Sequence, residues 1–468
     1  MFVIINIISI IYVYSVYIII NYMPEINTYS LGTQFMIIFI LNMILYIKIY
    51  RRKNIFCFET LFSLTFLLST FQYPFLMDFW SPYVINRFFT ISREVYSEGM
   101  CISMFGYLAF LLGAAFVAKR KTYDKVDIDF DYNVAFKLDS LFQYLTFITF
   151  GTMIIMGGYK ILYHYSSYNI DKWGNTGDLY TYIFIFFNLS SVLQLIKLKA
   201  KNVTNIKSFF IKSDNIFKIN VLLIVPFFLL TGYRSELLSL ILPLLLLYSL
   251  LINNIKGKNL FAMIIIGILL INIIKTAREL SGGLLNISSI VYSFTEFNNI
   301  SYLFSDLSSV NGALYFFVDY VNIHGITYGS NILLQIASFV PFLQSVIVEI
   351  FGFVPDLPSS LVFSETINIS TSFSGLGTHI IGDLYYTFGL GGVIILMFAL
   401  GWVVSLLYSI IYDKNSLNIY ALIILCILFG NSIYFVRVEY FYIVRSIGFS
   451  LIIFWFFTLF FKMNKRVI

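Results

Sequence analysis

Runs of about 20 apolar residues recur along the chain and are separated by short polar segments. A run of this length forms a helix that spans the ~30 Å hydrocarbon core of a bilayer. The pattern predicts about twelve membrane-spanning helices, at residues 2–22, 31–48, 56–76, 98–118, 140–157, 178–196, 218–233, 235–252, 259–275, 387–411, 419–436 and 440–461. The predicted fold class is an all-α polytopic membrane protein.

The predicted spans divide the chain into three regions. Residues 1–275 hold the first nine, residues 387–468 hold the last three, and residues 276–386 form one long loop. Two apolar stretches inside the loop, 332–340 and 343–348, favour an interfacial or re-entrant helix pair that roofs a cavity. A true pair of spans there is the alternative, and it leaves the topology on either side unchanged.

The composition excludes a soluble protein. Of the 468 residues, 59% are hydrophobic and 12% are charged, whereas a soluble domain carries about 25% charged residues. The three cysteines lie far apart and form no CxxC motif, so we expect neither redox chemistry nor a cysteine-ligated metal. The apolar N-terminus has no basic leader, and we interpret it as a first span that is retained.

The distribution of basic residues predicts the orientation. With both termini inside, the inner side collects Lys119–Lys121, the lysines of 197–212 and the basic tail of 462–466, as the positive-inside rule requires. The long loop then faces outward. We therefore attribute the net charge of +6 to membrane orientation, and we expect no nucleic-acid partner.

Arginine is concentrated on the predicted outer side. Six of the ten arginines fall there, namely Arg87, Arg93, Arg234, Arg278, Arg437 and Arg445, whereas only three of the twenty lysines do. The planar guanidinium binds phosphate and carboxylate in a bidentate manner, so the set predicts an outer phosphate-binding site. The alternative is that these arginines pair with outer carboxylates or reach lipid headgroups.

A polar face precedes the tenth predicted span. His379, Asp383 and Tyr386 are spaced i, i+4 and i+7 and would share one face of a helix. Ionisable side chains that enter a membrane point at protein or water, so we predict a polar cluster at the outer mouth of the bundle. The only metal-binding pattern, D-x-D at residues 127–129, lies in a short basic inner loop and is better explained as a solvated loop.

Two motifs and the long outer loop resemble the Wzy-type O-antigen (oligosaccharide repeat unit) polymerases. The motifs are TGYRSELL at residues 231–238 and GTHIIGDLYYTFGLGG at residues 377–392. The related O-antigen ligases share the loop and an arginine followed four residues later by leucine, which Arg234 and Leu238 also satisfy. The chain departs from some polymerases because its other outer loop, 158–177, is short and carries only two basic residues.

The resemblance implies a membrane glycosyltransferase of the GT-C type, a multi-pass protein of the bacterial inner membrane whose active site faces the periplasm. Its donor would be a glycan on undecaprenyl diphosphate, and its acceptor a single lipid-linked repeat unit. It implies no metal, no nucleotide sugar and no other cofactor. Membrane lipid, a chain-length regulator and a flippase are the partners it points to.

Glycosyl transfer from a lipid diphosphate needs stabilisation of the leaving group and a base for the acceptor hydroxyl. We predict that Arg234 and Arg278 stabilise the diphosphate, with Arg437 and Arg445 as further candidates. His379 or Asp383 would be the base, while Tyr386 and Glu279 would contribute to substrate binding. An O-antigen ligase, a lipid-linked oligosaccharide flippase and a non-enzymatic membrane scaffold are the alternatives.

Overall fold

The structure is a computed structural model that describes most of the chain. The described residues are 1–22, 30–50, 55–79, 92–118, 132–159, 176–231, 234–255, 257–259, 262, 266–267, 310–340, 343–352, 356–366, 377–413 and 418–463. All regular secondary structure in these ranges is helical.

The helices are numbered in chain order. They are α1 Phe2–Tyr22, α2 Leu31–Tyr50, α3 Phe58–Phe66, α4 Gln72–Phe79, α5 Arg93–Val117, α6 Tyr132–Ile155, α7 Thr176–Ala200, α8 Ile206–Lys212, α9 Asn215–Thr231, α10 Arg234–Leu251, α11 Asn311–His324, α12 Ser330–Ala337, α13 Leu343–Phe351, α14 Ser359–Thr366, α15 Ile380–Asp413, α16 Ile419–Gly430 and α17 Val444–Met463. A π-helical turn, Leu67–Phe71, joins α3 to α4.

Within the described residues, seven helices are long and apolar enough to cross a membrane. They lie in α1, α2, α5, α6, α7, α15 and α17. The chain is therefore an all-helical, polytopic membrane protein. Shorter apolar helices occupy residues 58–71, 235–251 and 419–430, where spans are also predicted. The total of twelve stays a prediction, and most of the ninth predicted span, 259–275, lies outside the described residues.

The connection between the last two predicted spans is longer than the sequence indicates. We predict spans ending at 436 and beginning at 440, whereas α16 ends at Gly430 and α17 begins at Val444. Phe435 and Val436 are buried in the protein. Because hydropathy does not distinguish burial in protein from contact with lipid, these side chains extended the apparent spans. Residues 431–443, called the crossing segment below, pack over the end of the bundle.

Helices α5 and α15 form the most extensive helix pair of the described structure. Glu98 contacts Tyr385 near one end of the pair, and Gly113 lies against Phe398 further along both helices. The contacts advance in the same direction along the two helices, so the pair is parallel. The basic residues likewise predict that the two helices run in the same direction.

Helix α15 is broken at Gly389. This residue has φ 65° and ψ −162°, a backbone region that only glycine adopts readily. The break removes a helical partner from the carbonyl of Tyr386, and the N–H of Thr327 donates to that oxygen over 3.0 Å. The Nδ2 of Asn331 also donates to Thr387 Oγ1 over 3.0 Å. Thr327, in the loop before α12, thus supplies the donor that the break removes, and Asn331 attaches the start of α12 beside it.

We predict that Gly389→Ala lowers the stability of the protein by about 1–3 kcal/mol, because a Cβ disfavours this backbone conformation. The nearest atom to that Cβ would be 3.8 Å away on Ile326, so the cost is conformational and not steric. Thermal unfolding of the purified protein in detergent measures the change. A Gly391→Ala variant is the control, since a Cβ at Gly391 meets no atom within 4 Å; equal stability of the two variants would contradict the prediction.

The predicted long loop contains four described helices. The expected apolar pair corresponds to α12 and α13, which contact each other and expose several apolar side chains, including Leu333, Ile336, Val348 and Ile350. Its location at a membrane surface stays a prediction. Helices α11 and α14 were not predicted, and α11 packs against α5 and α15 inside the protein.

Candidate functional site

The polar cluster predicted before the tenth span is built around the first turns of α15. His379 directly precedes the helix, and its carbonyl accepts the N–H of Asp383 over 2.8 Å. Both side chains are fully buried, and Tyr386 is 3% exposed. The three residues follow one another along successive turns, and all three point into protein.

The imidazole of His379 is enclosed between α15 and the π-helical turn. Its Nδ1 accepts the N–H of Ile381 at 3.2 Å, so the neutral ring carries its proton on Nε2, 3.0 Å from Thr70 Oγ1. The ring also packs edge-on against Phe66. Burial lowers the pKa of His379 to about 3, and the side chain is therefore neutral at physiological pH. Single π-helical turns within α-helices occur frequently at functional sites.

The carboxylate of Asp383 joins two parts of the chain that are distant in sequence. One oxygen accepts the hydroxyl of Ser359 at 2.7 Å, and the other accepts the backbone N–H of Tyr440 at 3.0 Å. Ser359 is the first residue of α14, and Tyr440 belongs to the crossing segment. Asp383 thus holds the long loop and the crossing segment against α15.

A second carboxylate, that of Glu439, binds the residue next to the one that Asp383 binds. It accepts the hydroxyl of Ser360 at 2.6 Å, the N–H of Ser360 at 3.4 Å and the Nε2 of Gln335 at 2.6 Å. Two carboxylates therefore hold the first two residues of α14, where the partial positive charge of a helix N-terminus favours anions. Glu439 is partly exposed, in contrast to Asp383.

Tyr386 binds the loop rather than the other two predicted residues. Its hydroxyl donates to the carbonyl of Leu357 over 3.4 Å, and its ring packs against Phe317 and Tyr320 of α11. The neighbouring Tyr385 faces Glu98 of α5 instead, with a hydroxyl–carboxylate distance of 3.4 Å.

The two predicted arginines whose side chains are described lie beside this cluster. Arg437 is half-buried, and its carbonyl accepts the N–H of Thr378 over 3.2 Å. Arg445 is exposed at the start of α17, with its guanidinium 5.4 Å from the ring centre of Phe449. Arg234 begins α10, but its side chain lies outside the described residues. Arg278 and Glu279 lie wholly outside them.

The start of α10 belongs to the same neighbourhood. A Cβ on Gly430, where α16 ends and the crossing segment begins, would lie 3.0 Å from the carbonyl oxygen of Ser239 near the start of α10. The segments that carry Arg234, Arg437 and Arg445 therefore converge at the end of the bundle where His379 and Asp383 lie.

Sequence reasoning missed several members of the cluster. Glu439 could have been found, because a carboxylate two residues after an arginine and between two apolar runs is a functional candidate. Thr70, Ser359 and Gln335 carry no such signal, because isolated hydroxyls and amides are common in helices and loops. Within the described ranges, no three His, Cys, Asp or Glu side chains are grouped so as to hold a metal.

Comparison with known proteins adds no relative. No family model, no curated protein and no solved structure matches the chain. The residues of the cluster and the motifs at 231–238 and 377–392 are therefore the features that bear on function.

Proposed function

We propose that the protein is a membrane glycosyltransferase with about twelve transmembrane helices in a GT-C-like bundle. In this proposal it polymerises oligosaccharide repeat units linked to undecaprenyl diphosphate, at the periplasmic face of a bacterial inner membrane. The observation that carries the proposal is that the Arg437–Arg445 stretch and the start of α10 lie at the end of the bundle that holds the buried His379–Asp383 turn. The start of α10 belongs to the first motif of the resemblance, and the His379–Asp383 turn belongs to the second.

The reaction breaks one bond and forms another. The acceptor hydroxyl attacks the anomeric carbon of the donor sugar, the bond from that carbon to the diphosphate oxygen breaks, and undecaprenyl diphosphate leaves. Fixed guanidinium groups stabilise the charge that develops on the departing diphosphate. We assign this role to Arg445 and Arg437, together with Arg234 and Arg278.

The proton of the acceptor hydroxyl passes to a base, for which we retain His379 and Asp383 as candidates. In the conformation described here both side chains are buried and hydrogen-bonded. A base must reach the hydroxyl directly or through one water, so either residue would require the cluster to open. The partly exposed Glu439 is a third candidate that needs less rearrangement.

Reconstitution tests the proposal directly. Purified protein in liposomes receives lipid-linked repeat units extracted from the producing strain after deletion of its gene. We expect a ladder of polymers and release of undecaprenyl diphosphate. A ligase would form product only with a lipid A core acceptor, and a flippase would form no glycosidic bond. Failure to form polymer from competent substrate would contradict the proposal.

We predict that Arg445→Ala lowers the rate of polymer formation by about 10- to 100-fold, because a hydrogen bond to a charged group contributes about 1.5–3 kcal/mol. Lys462→Ala is the matched control, since Lys462 is an exposed cation near the opposite end of the same helix. Rates measured with both variants at equal protein concentration check the prediction. A wild-type rate for Arg445→Ala would remove this arginine from the site.

The same question can be asked in cells. Alanine variants of Arg234, Arg278 and His379 are expressed in the producing strain in place of the wild type. Loss of long chains with single repeat units still capping the outer lipid supports the polymerase. Loss of all surface sugar favours a flippase or a ligase, and unchanged long chains in all three variants would contradict the site.

A further inference from the structure

The short helix α8 carries an apolar surface at the opposite end of the bundle from the candidate site. Ile206, Phe210 and Ile211 are 60%, 57% and 67% exposed. Ile206 and Phe210 lie one turn apart, and Phe209 points the other way, toward Tyr248 of α10. The helix therefore has one side against protein and one apolar side without a protein neighbour among the described residues.

The direction of α8 matches a membrane surface. Helices α8 and α9 together are long and apolar enough for one membrane span, but they are bent by 110° at their junction. If α9 runs along the membrane normal, α8 lies close to the membrane plane. The exposed apolar side chains of α9 begin with Ile219 and Leu222, so the apolar surface of a spanning helix continues onto α8.

The bend is held by specific contacts. Lys197 forms ion pairs with Asp214, at the junction, and with Asp139 of α6, the latter at 3.5 Å. The Nζ of Lys212 donates to the carbonyl of Lys201 over 3.0 Å. At its other end α8 begins with a capping box between Asn205 and Ser208. The helix is thus fixed at both ends, and its orientation does not depend on a flexible linker.

The positive charge around α8 is typical of a helix that binds an anionic membrane surface. Residues 197–218 contain six lysines and one acidic residue, Asp214. Of the exposed lysines 201, 207 and 212, Lys207 shares the side of α8 that carries Phe210 and Ile211, where its long side chain can reach the headgroups while its stem lies among apolar groups. Basic amphipathic helices bind membranes by inserting apolar side chains between the headgroups and by attracting anionic lipids.

We propose that α8 is an interfacial membrane helix, which inserts Ile206, Phe210 and Ile211 into the inner leaflet and binds anionic lipid phosphates through its flanking lysines. The proposal concerns the face opposite the candidate site and is independent of the glycosyltransferase assignment.

Site-directed spin labelling of the full-length protein in nanodiscs tests this placement. The native cysteines, Cys57, Cys101 and Cys426, are buried, so a cysteine introduced at Phe210 or Ile211 labels selectively. We expect these labels to collide with dissolved oxygen more than with a water-soluble nickel chelate. The control is Thr204→Cys, exposed just before α8, whose label should favour nickel. Equal nickel accessibility at 204, 210 and 211 would overturn the proposal.

Lipid composition tests the role of the lysines. Replacing part of the phosphatidylcholine by phosphatidylglycerol should at least double the oxygen-to-nickel collision ratio at position 210. Lys207→Glu should abolish that increase while leaving the ratio in pure phosphatidylcholine unchanged. No effect of phosphatidylglycerol on the wild-type helix would overturn the anionic-lipid assignment. Dipolar broadening between labels at position 210 would overturn the lipid assignment in favour of a second copy of the chain.

Discussion

Asp383→Ala is expected to reduce polymer formation by about 100-fold or more. The carboxylate accepts two hydrogen bonds in a place closed to water, from Ser359 and from the backbone of Tyr440. Leaving either buried donor without an acceptor costs about 1–3 kcal/mol. Without the carboxylate of Asp383, α14 and the crossing segment lose their common attachment to α15. Polymer yield in the reconstituted system, normalised to folded protein from gel filtration, measures the effect.

A second substitution separates positioning from proton transfer. Asp383→Asn keeps one carbonyl oxygen, which can still accept from Ser359 or Tyr440, but it cannot take up a proton from a sugar hydroxyl at neutral pH. We expect this variant to retain a clearly measurable fraction of the activity, with the pH–rate profile of the wild type, because the enclosed geometry points to positioning. Activity as low as that of Asp383→Ala would instead make Asp383 the base.

Gly401→Ala is expected to lower the free energy of unfolding by at least about 2 kcal/mol, because overpacking of a tight contact costs about 1–3 kcal/mol and occasionally more. A Cβ on Gly401 would lie 2.0 Å from the carbonyl oxygen of Phe110, and only a shift of the backbone could relieve that contact. The parallel α5–α15 pair depends on this close approach, as small residues permit in membrane helices. Thermal unfolding in detergent should show a fall of about 2 °C or more, since the large entropy of unfolding of a 468-residue chain makes the shift per kcal/mol small.

The control for this prediction lies on the same helix. Gly391→Ala adds the same methyl group where no atom lies within 4 Å, and it should leave the unfolding temperature unchanged or slightly higher because alanine favours helix. Similar losses in the two variants would show that close packing of α5 against α15 does not determine the effect.

Much of the helical framework was predictable because membrane helices are encoded by long apolar runs. Predicted spans such as 2–22 and 31–48 agree closely with α1 and α2, where lipid-facing residues dominate. The predicted spans agreed less well with the observed helices where apolar side chains pack against protein. Phe435 and Val436 were assigned to a span but belong to the crossing segment, and the buried α11 was not predicted. An apolar residue carries the same signal in either surrounding.

The candidate site was predictable only in part. The spacing of His379, Asp383 and Tyr386 identified buried polar positions on successive turns, because ionisable residues next to a span are conspicuous. Their partners were not predictable, since Thr70, Ser359 and Gln335 come from elements that are remote in sequence. Which side chains would be enclosed also depends on tertiary packing, which a spacing rule does not describe.

The interruption of α15 at Gly389 divides one continuous stretch of chain into two mechanical units. Hydrogen bonding of the first unit ends at the loop around Thr327, while the second unit packs with α5 through Gly401. A rotation of the His379–Asp383 turn toward a bound sugar would therefore be absorbed at the break and would not twist the membrane anchor below it.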